Sequence, residues 1–133
     1  MIEKILSLMS RSEVHKTWTV EDIGRLIIPA IIHNKIRFFV VNGKTTGFVT
    51  FAFLSDEAEE GYVNKTRKLQ PSDFKGEEGT LWFIDFIAPF GHVRPFIQEL
   101  RKEFRPKYKI AKIKRATTGR IGYFYGNKDK NET

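Results

Sequence analysis

The chain has 133 residues, 41% hydrophobic and 14% aromatic, with a net charge of +7 and no cysteine. That length fits one domain, and the composition supplies a core and excludes wholesale disorder. The missing thiols exclude disulfides, thiolate metal sites and a cysteine nucleophile, as suits a reducing cytoplasm, where the protein is expected to reside, and the three scattered histidines point to no metal site.

The first segment, MIEKILSLMS, is apolar only on alternate turns, carries Glu3 and Lys4 and lacks a small-residue cleavage site. It predicts a short amphipathic helix and not a signal peptide. No apolar run approaches the ~18 residues of a membrane span, so none is expected. SRSEVHKTW has no clean period and is expected to be a loop. Thr19, with Asp22 three residues on, predicts a cap for the helix VEDIGRLIIPAIIHN, which puts Ile23, Leu26, Ile27, Ala30 and Ile31 on one face. KIRFFVV and TGFVTFAFL flank Asn42-Gly43, the signal of a tight hairpin. Ser55 opens DEAEEGYVNKTRK, expected to be a solvated helix with acids near its N-terminus.

Thr80 to Ala88 predicts a strand, stopped by Pro89 and Gly91. Strict alternation would put Leu81, Phe83, Asp85 and Ile87 on one face and Trp82, Ile84, Phe86 and Ala88 on the other. VRPFIQELRKEF spaces Val93, Phe96, Ile97, Leu100 and Phe104 as a helix, and YKIAKIK and RIGYFYG predict two closing strands before a frayed tail. The order predicts an α/β (α+β) fold, a single domain over residues 1–126 with a mixed, mostly antiparallel sheet flanked by helices, and a flexible tail at 127–133.

Asp85 interrupts the apolar run LWFIDFIAPFG. A carboxylate buried there needs a partner or a chemical role, so it either caps a structural network or orients and charges a histidine. His15 lies between the hydroxyl of Ser12 and the indole of Trp18. An imidazole, with an unperturbed pKa of ~6.5, can take a proton near neutrality, so His15 is a candidate general base. Charge is uneven. Residues 1–91 hold 11 Lys and Arg against 12 Asp and Glu, whereas residues 92–133 hold 12 against 4. That last third favours an acidic partner. Its interleaved basic and aromatic residues, Tyr123, Phe124 and Tyr125 included, would also suit a single-stranded nucleic-acid-binding module, but that alternative leaves His15 and Asp85 unexplained, so no nucleic acid is expected.

SEVHKTW, the following VEDIGRLIIPAI, and WFIDFIAPFG resemble the two signature blocks of the RTX toxin-activating lysine acyltransferases of the hemolysin-activating type. The resemblance runs from about Leu6 to Gly126 in the same order. It implies a fold resembling the Gcn5-related N-acetyltransferases and no bound cofactor. It also implies transfer of a fatty acyl chain from acyl carrier protein to internal lysines of an RTX protoxin, and a homodimer. The family's essential histidine falls on His15 and its essential aspartate on Asp85. Ser12, Trp18, Pro29, Trp82, Pro89, Phe90 and Gly91 match motif positions that shape the site.

Two departures stand out: the sequence ends soon after GYFYG where family members continue, and Arg94 replaces a frequent second glycine. The first is expected to bear on toxin binding or dimerisation, the second on donor docking. Acetyltransferases of the related fold grip the coenzyme A diphosphate with a glycine-rich turn, but APFGHVRPF offers one glycine and a proline without an amide donor. The resemblance therefore favours acyl carrier protein, an acidic partner for Arg101, Lys102, Arg105, Lys112, Lys114, Arg115 and Arg120. In the implied mechanism His15 is the general base and Asp85 fixes its tautomer, an acyl-histidine intermediate being the variant. The Phe-rich strands either line a groove for the acyl chain or pack the core. A non-catalytic adaptor for toxin or carrier protein is the remaining alternative.

Overall fold

The computed structural model describes residues 1–115 and 118–126, so the tail expected at 127–133 lies outside the described residues. The helices are α1 (Ile2–Ser10), α2 (Val20–Asp22), α3 (Ile28–Ile32), α4 (Asp56–Asn64) and α5 (Val93–Phe104). The strands are β1 (Ile36–Val41), β2 (Lys44–Leu54), β3 (Thr80–Ile87), β4 (Ile110–Lys114) and β5 (Ile121–Tyr125).

Asn42 and Gly43 take φ of 50° and 77°, a left-handed pair whose twist matches that of β1 and β2. β3 adds to β2 antiparallel. A parallel neighbour needs a crossover, and α5 supplies it by returning the chain so that β4 lies parallel to β3, with β5 antiparallel at the edge. The sheet therefore runs β1-β2-β3-β4-β5, mixed and mostly antiparallel as the order of elements predicts.

α5 covers one face. Its Phe96, Leu100 and Phe104 pack on Phe39, Phe51 and Phe83, with Phe39 and Phe96 stacked at 4.2 Å. α1, α3 and α4 cover the other face through Ile5 and Leu8, Ala30, and Ala58. The phenylalanines of β1 and β2 serve this core, Phe39 and Phe48 being fully buried, so the alternative of an acyl groove along those strands is not observed.

Local structure departs from expectation in two places. The helix expected from Val20 onward contains a π-helical turn, Ile23–Ile27, before α3. Pro29 explains it: a proline lacks the amide and its ring crowds the carbonyl four residues back, and one extra residue per turn relieves both. α4 is not merely solvated, because Ala58 and Gly61 are buried and Tyr62 and Val63 pack on the core. SRSEVHKTW is the loop expected between α1 and α2, folded as a run of hydrogen-bonded turns in which His15 and Lys16 both donate their N–H to the Ser12 carbonyl at 3.1 and 2.8 Å.

Candidate active site

Asp85 owes its direction to a β-bulge. Thr50 pairs with Asp85 and Phe51 with Phe83, so Ile84 and Asp85 together oppose one residue of β2. Alternation breaks there. Leu81 and Phe83 stay with the α5 side and are rejoined by Phe86 and Ala88, while Ile84 packs with Trp82 on the opposite side. The expected face of Leu81, Phe83, Asp85 and Ile87 is thus corrected: Asp85 and Ile87 lie opposite Leu81 and Phe83. The Asp85 N–H donates to Thr50 Oγ1 at 3.1 Å, which holds the bulge in place.

The turns after α1 bring His15 onto this carboxylate. Ile5, Leu8 and Met9 of α1 pack against Ile87, two residues beyond Asp85, and Trp18 joins the same cluster. His15 Nε2 lies 2.9 Å from Asp85 Oδ1, Nδ1 lies 2.7 Å from Ser12 Oγ, and the ring packs against Trp18 at 4.9 Å. Only 6% of the His15 side chain and 12% of the Asp85 side chain are exposed. A carboxylate can only accept, which assigns the proton to Nε2; Nδ1 then accepts from the Ser12 hydroxyl. The result is a hydrogen-bonded chain, Ser12 to His15 to Asp85, with both ring nitrogens occupied.

This chain sits where the sheet divides. β3 and β4 pair over Leu81–Phe83 and Ala111–Ile113, and past that point the two strands part at a split. One cavity at the split is walled by Ser12, His15 and Asp85 together with Val93, Ile97 and Phe124 from the α5 side. A second is walled by Arg25, Tyr62, Lys65, Lys68 and Lys114. Ile84, Asp85 and Lys114 border both. Asp85 Oδ2 is buried and has no hydrogen-bond partner among the described residues. Burial, and then the charge of Asp85, push the Tyr62 hydroxyl well above its ordinary pKa. Burial, and then the charge of Lys65, lower that of Lys114, which donates to the Tyr62 carbonyl at 3.1 Å.

The other residues singled out in the sequence scatter. Trp82 is fully buried away from both cavities; its Nε1 donates to Glu59 Oε2 at 2.6 Å, and Lys112 donates to Glu59 Oε1 at 3.1 Å. Pro89 and Gly91 form the turn that ends β3, with Gly91 at φ 89° and its N–H on the Ala88 carbonyl, and this turn aims Val93 and Ile97 at the His15 cavity. Phe90 is exposed under the guanidinium of Arg11. Arg101 and Lys102 are exposed on α5 and Arg105 just past its end, Arg115 edges the His15 cavity, and Arg120 is exposed beside β5. Lys112 and Lys114 face the α4 side, so the seven cations do not form one patch. Arg25, Lys65 and Lys68 were not foreseen as site residues. They come from a π-turn and from the end of α4, and the balanced charge of residues 1–91 hides them, leaving the run NKTRK as their trace.

Among the described residues no group of three or more His, Cys, Asp or Glu could hold a metal, and no helix is long and apolar enough to cross a membrane.

Known proteins with this pattern are consistent in kind. The leukotoxin-activating lysine-acyltransferase LktC of Mannheimia haemolytica serotype A1 is 28% identical over all of this chain and 81% of its own length. LktC of a Pasteurella haemolytica-like species is 33% identical over 98% of this chain and 80% of its own. The protein-lysine myristoyltransferase RtxC of Kingella kingae is 30% identical over 90% of this chain and 72% of its own. Residues 1–122, which include Ser12, His15, Asp85 and both walls of the strand split, match the family as a whole, and the chain therefore belongs to the HlyC family of RTX toxin acyltransferases.

Proposed function

We propose that residues 1–126 form a protein-lysine acyltransferase that moves a fatty acyl group from acyl carrier protein to the ε-amine of internal lysines in an RTX protoxin. The observation that carries this reading is the chain Ser12–His15–Asp85 at the opening between β3 and β4.

In the proposed step the acceptor amine attacks the thioester carbonyl, the C–N bond forms, and the C–S bond breaks. Ser12 Oγ takes the proton of the attacking amine as its own passes to His15 Nδ1, and Asp85 stabilises the imidazolium through Nε2. That proton then returns through Ser12 to the departing thiolate of the phosphopantetheine arm. Direct transfer is favoured over an acyl-histidine intermediate, because His15 is buried and both of its nitrogens are already bonded. The acceptor must react as a neutral amine, and cations such as Lys114 and Arg25 beside Asp85 favour loss of its proton.

Exposed Arg101, Lys102, Arg105, Arg115 and Arg120 give an acidic carrier protein several points of attraction. Use of that donor assigns the reaction to the cytoplasm. Transfer of a radiolabelled acyl group from acyl carrier protein to a protoxin tests the proposal. Labelled lysine in the protoxin is the expected result, and no label with any acyl chain length would refute it.

A further inference from the structure

The phenylalanines of β1 and β2 are committed to the core, which leaves open where the hydrocarbon part of a donor would go. A narrow, nearly closed slot lies between α5 and the strands β4 and β5, with a free volume of about 20 Å³, room for about one water molecule. Its walls include Phe83, Leu100, Phe104 and Ala111, and Arg101 contributes its stem while its guanidinium lies 5.5 Å over Phe124. Ile97 and Phe124 border both this slot and the cavity that holds His15 and Asp85. The slot therefore adjoins the candidate active site at one end, with Ile97 and Phe124 as the shared wall. At the other end it closes against Tyr108 and Gly126, where the Gly126 N–H donates to the Lys109 carbonyl at 2.7 Å and a side chain at 126 would strike the Tyr108 carbonyl.

We propose that this slot is the binding site for the acyl chain of the donor, and that its closed end limits the chain length transferred. The inference rests on the acyltransferase reading above and adds the place and the ruler for the acyl group. From Ile97 to Phe104 the helix advances about 10 Å, the length over which a chain laid along α5 would run once the walls part. The slot is narrow without a ligand, so a chain must part its walls. Phe124 lies on β5, the edge strand, which pairs with β4 alone, so that wall can yield without breaking the rest of the sheet. A dry apolar lining suits a hydrocarbon and rejects water.

The test uses a pantetheine thioester of a palmitoyl chain that carries a terminal diazirine. Irradiation with the wild-type protein is expected to label the segment from Leu100 to Tyr108 or β5, a readout that needs no turnover. Label confined to β1 and β2, or no label at all, overturns the proposal. The second arm places Trp at the half-buried neck, Ile97→Trp, and offers an equimolar set of short- and long-chain acyl carrier proteins. The ratio of long to short acyl product is expected to fall by about tenfold or more, the discrimination that small changes of pocket volume produce, while Ile97→Ala is expected to raise it. Unchanged length profiles in both variants, with transfer intact, overturn the slot and leave the acyltransferase reading standing. Labelling in the slot without transfer from any donor keeps the slot and defeats that reading.

Discussion

His15 is buried between Ser12, Trp18 and Asp85, and this decides what its loss does. His15→Ala removes the partner of a buried carboxylate, so it is expected to lower stability by about 1–3 kcal/mol. It should also lower the acyl-transfer rate by about 10²–10⁴-fold, the range of a general base. Thermal unfolding and turnover of the folded fraction, measured side by side, check both. Ser12→Ala leaves packing nearly unchanged but would interrupt the proposed proton path to Nδ1, so kcat is expected to fall by about 10²-fold with the donor KM little altered. A rise in KM alone would assign Ser12 to binding. The three residues were legible in the sequence as chemical types, but their connectivity was not. Ser12 reaches Nδ1 only because a tight turn folds residues 12 to 16, and Asp85 faces His15 only because the bulge at Ile84 reverses the alternation that its neighbours suggest.

At the scale of elements, caps and buried forks carry predictions of their own. Thr19 Oγ1 accepts from the Asp22 N–H while Asp22 Oδ2 accepts from the Thr19 N–H, a reciprocal cap on α2. Thr19→Ala is expected to cost about 1 kcal/mol, seen as a lower melting temperature without loss of activity per folded molecule. Hydrogen bonds from the Thr19 backbone, and then its side chain, hold the Asp22 carboxyl below the ordinary carboxylate range. A depressed carboxylate stabilises fully above its unfolded pKa and loses that contribution as pH falls through the folded value. The stability gap between wild type and Asp22→Asn should therefore be present at neutral pH and close only in acid below that range. Glu59 holds Trp82 with one oxygen and Lys112 with the other, so Trp82→Phe, which strands Oε2 near a buried face, is expected to cost about 1–3 kcal/mol in urea unfolding. The helices and strands were readable from periodicity and from Asn42-Gly43. The π-turn was not, because Pro29 announces a disturbance without saying which backbone geometry absorbs it.

For the whole molecule, the arrangement of strands matters more than their number. One parallel pair, β3 with β4, creates the split that opens onto Asp85, and that pair exists because α5 carries the chain back across the sheet. The sequence order allowed a mixed sheet without saying which pair would be parallel, whereas the local charge of residues 92–133 was plain from composition. That charge predicts a donor affinity that weakens as salt rises, since exposed attraction fades as the screening length contracts to about 8 Å at physiological ionic strength. A donor KM unchanged between low and high salt would rule out electrostatic docking of the donor. In the proposed mechanism, above all, Asp85 acts through His15 and is not there only to complete the fold. The direct measurement is transfer of labelled acyl groups from acyl carrier protein to a protoxin by wild type and Asp85→Asn, each normalised to its folded fraction from thermal melting. The expected variant melts close to wild type and transfers at least about 10²-fold more slowly, because an amide does not hold the imidazolium charge. A variant that melts well below wild type yet keeps full specific activity in its folded fraction would contradict this role for Asp85.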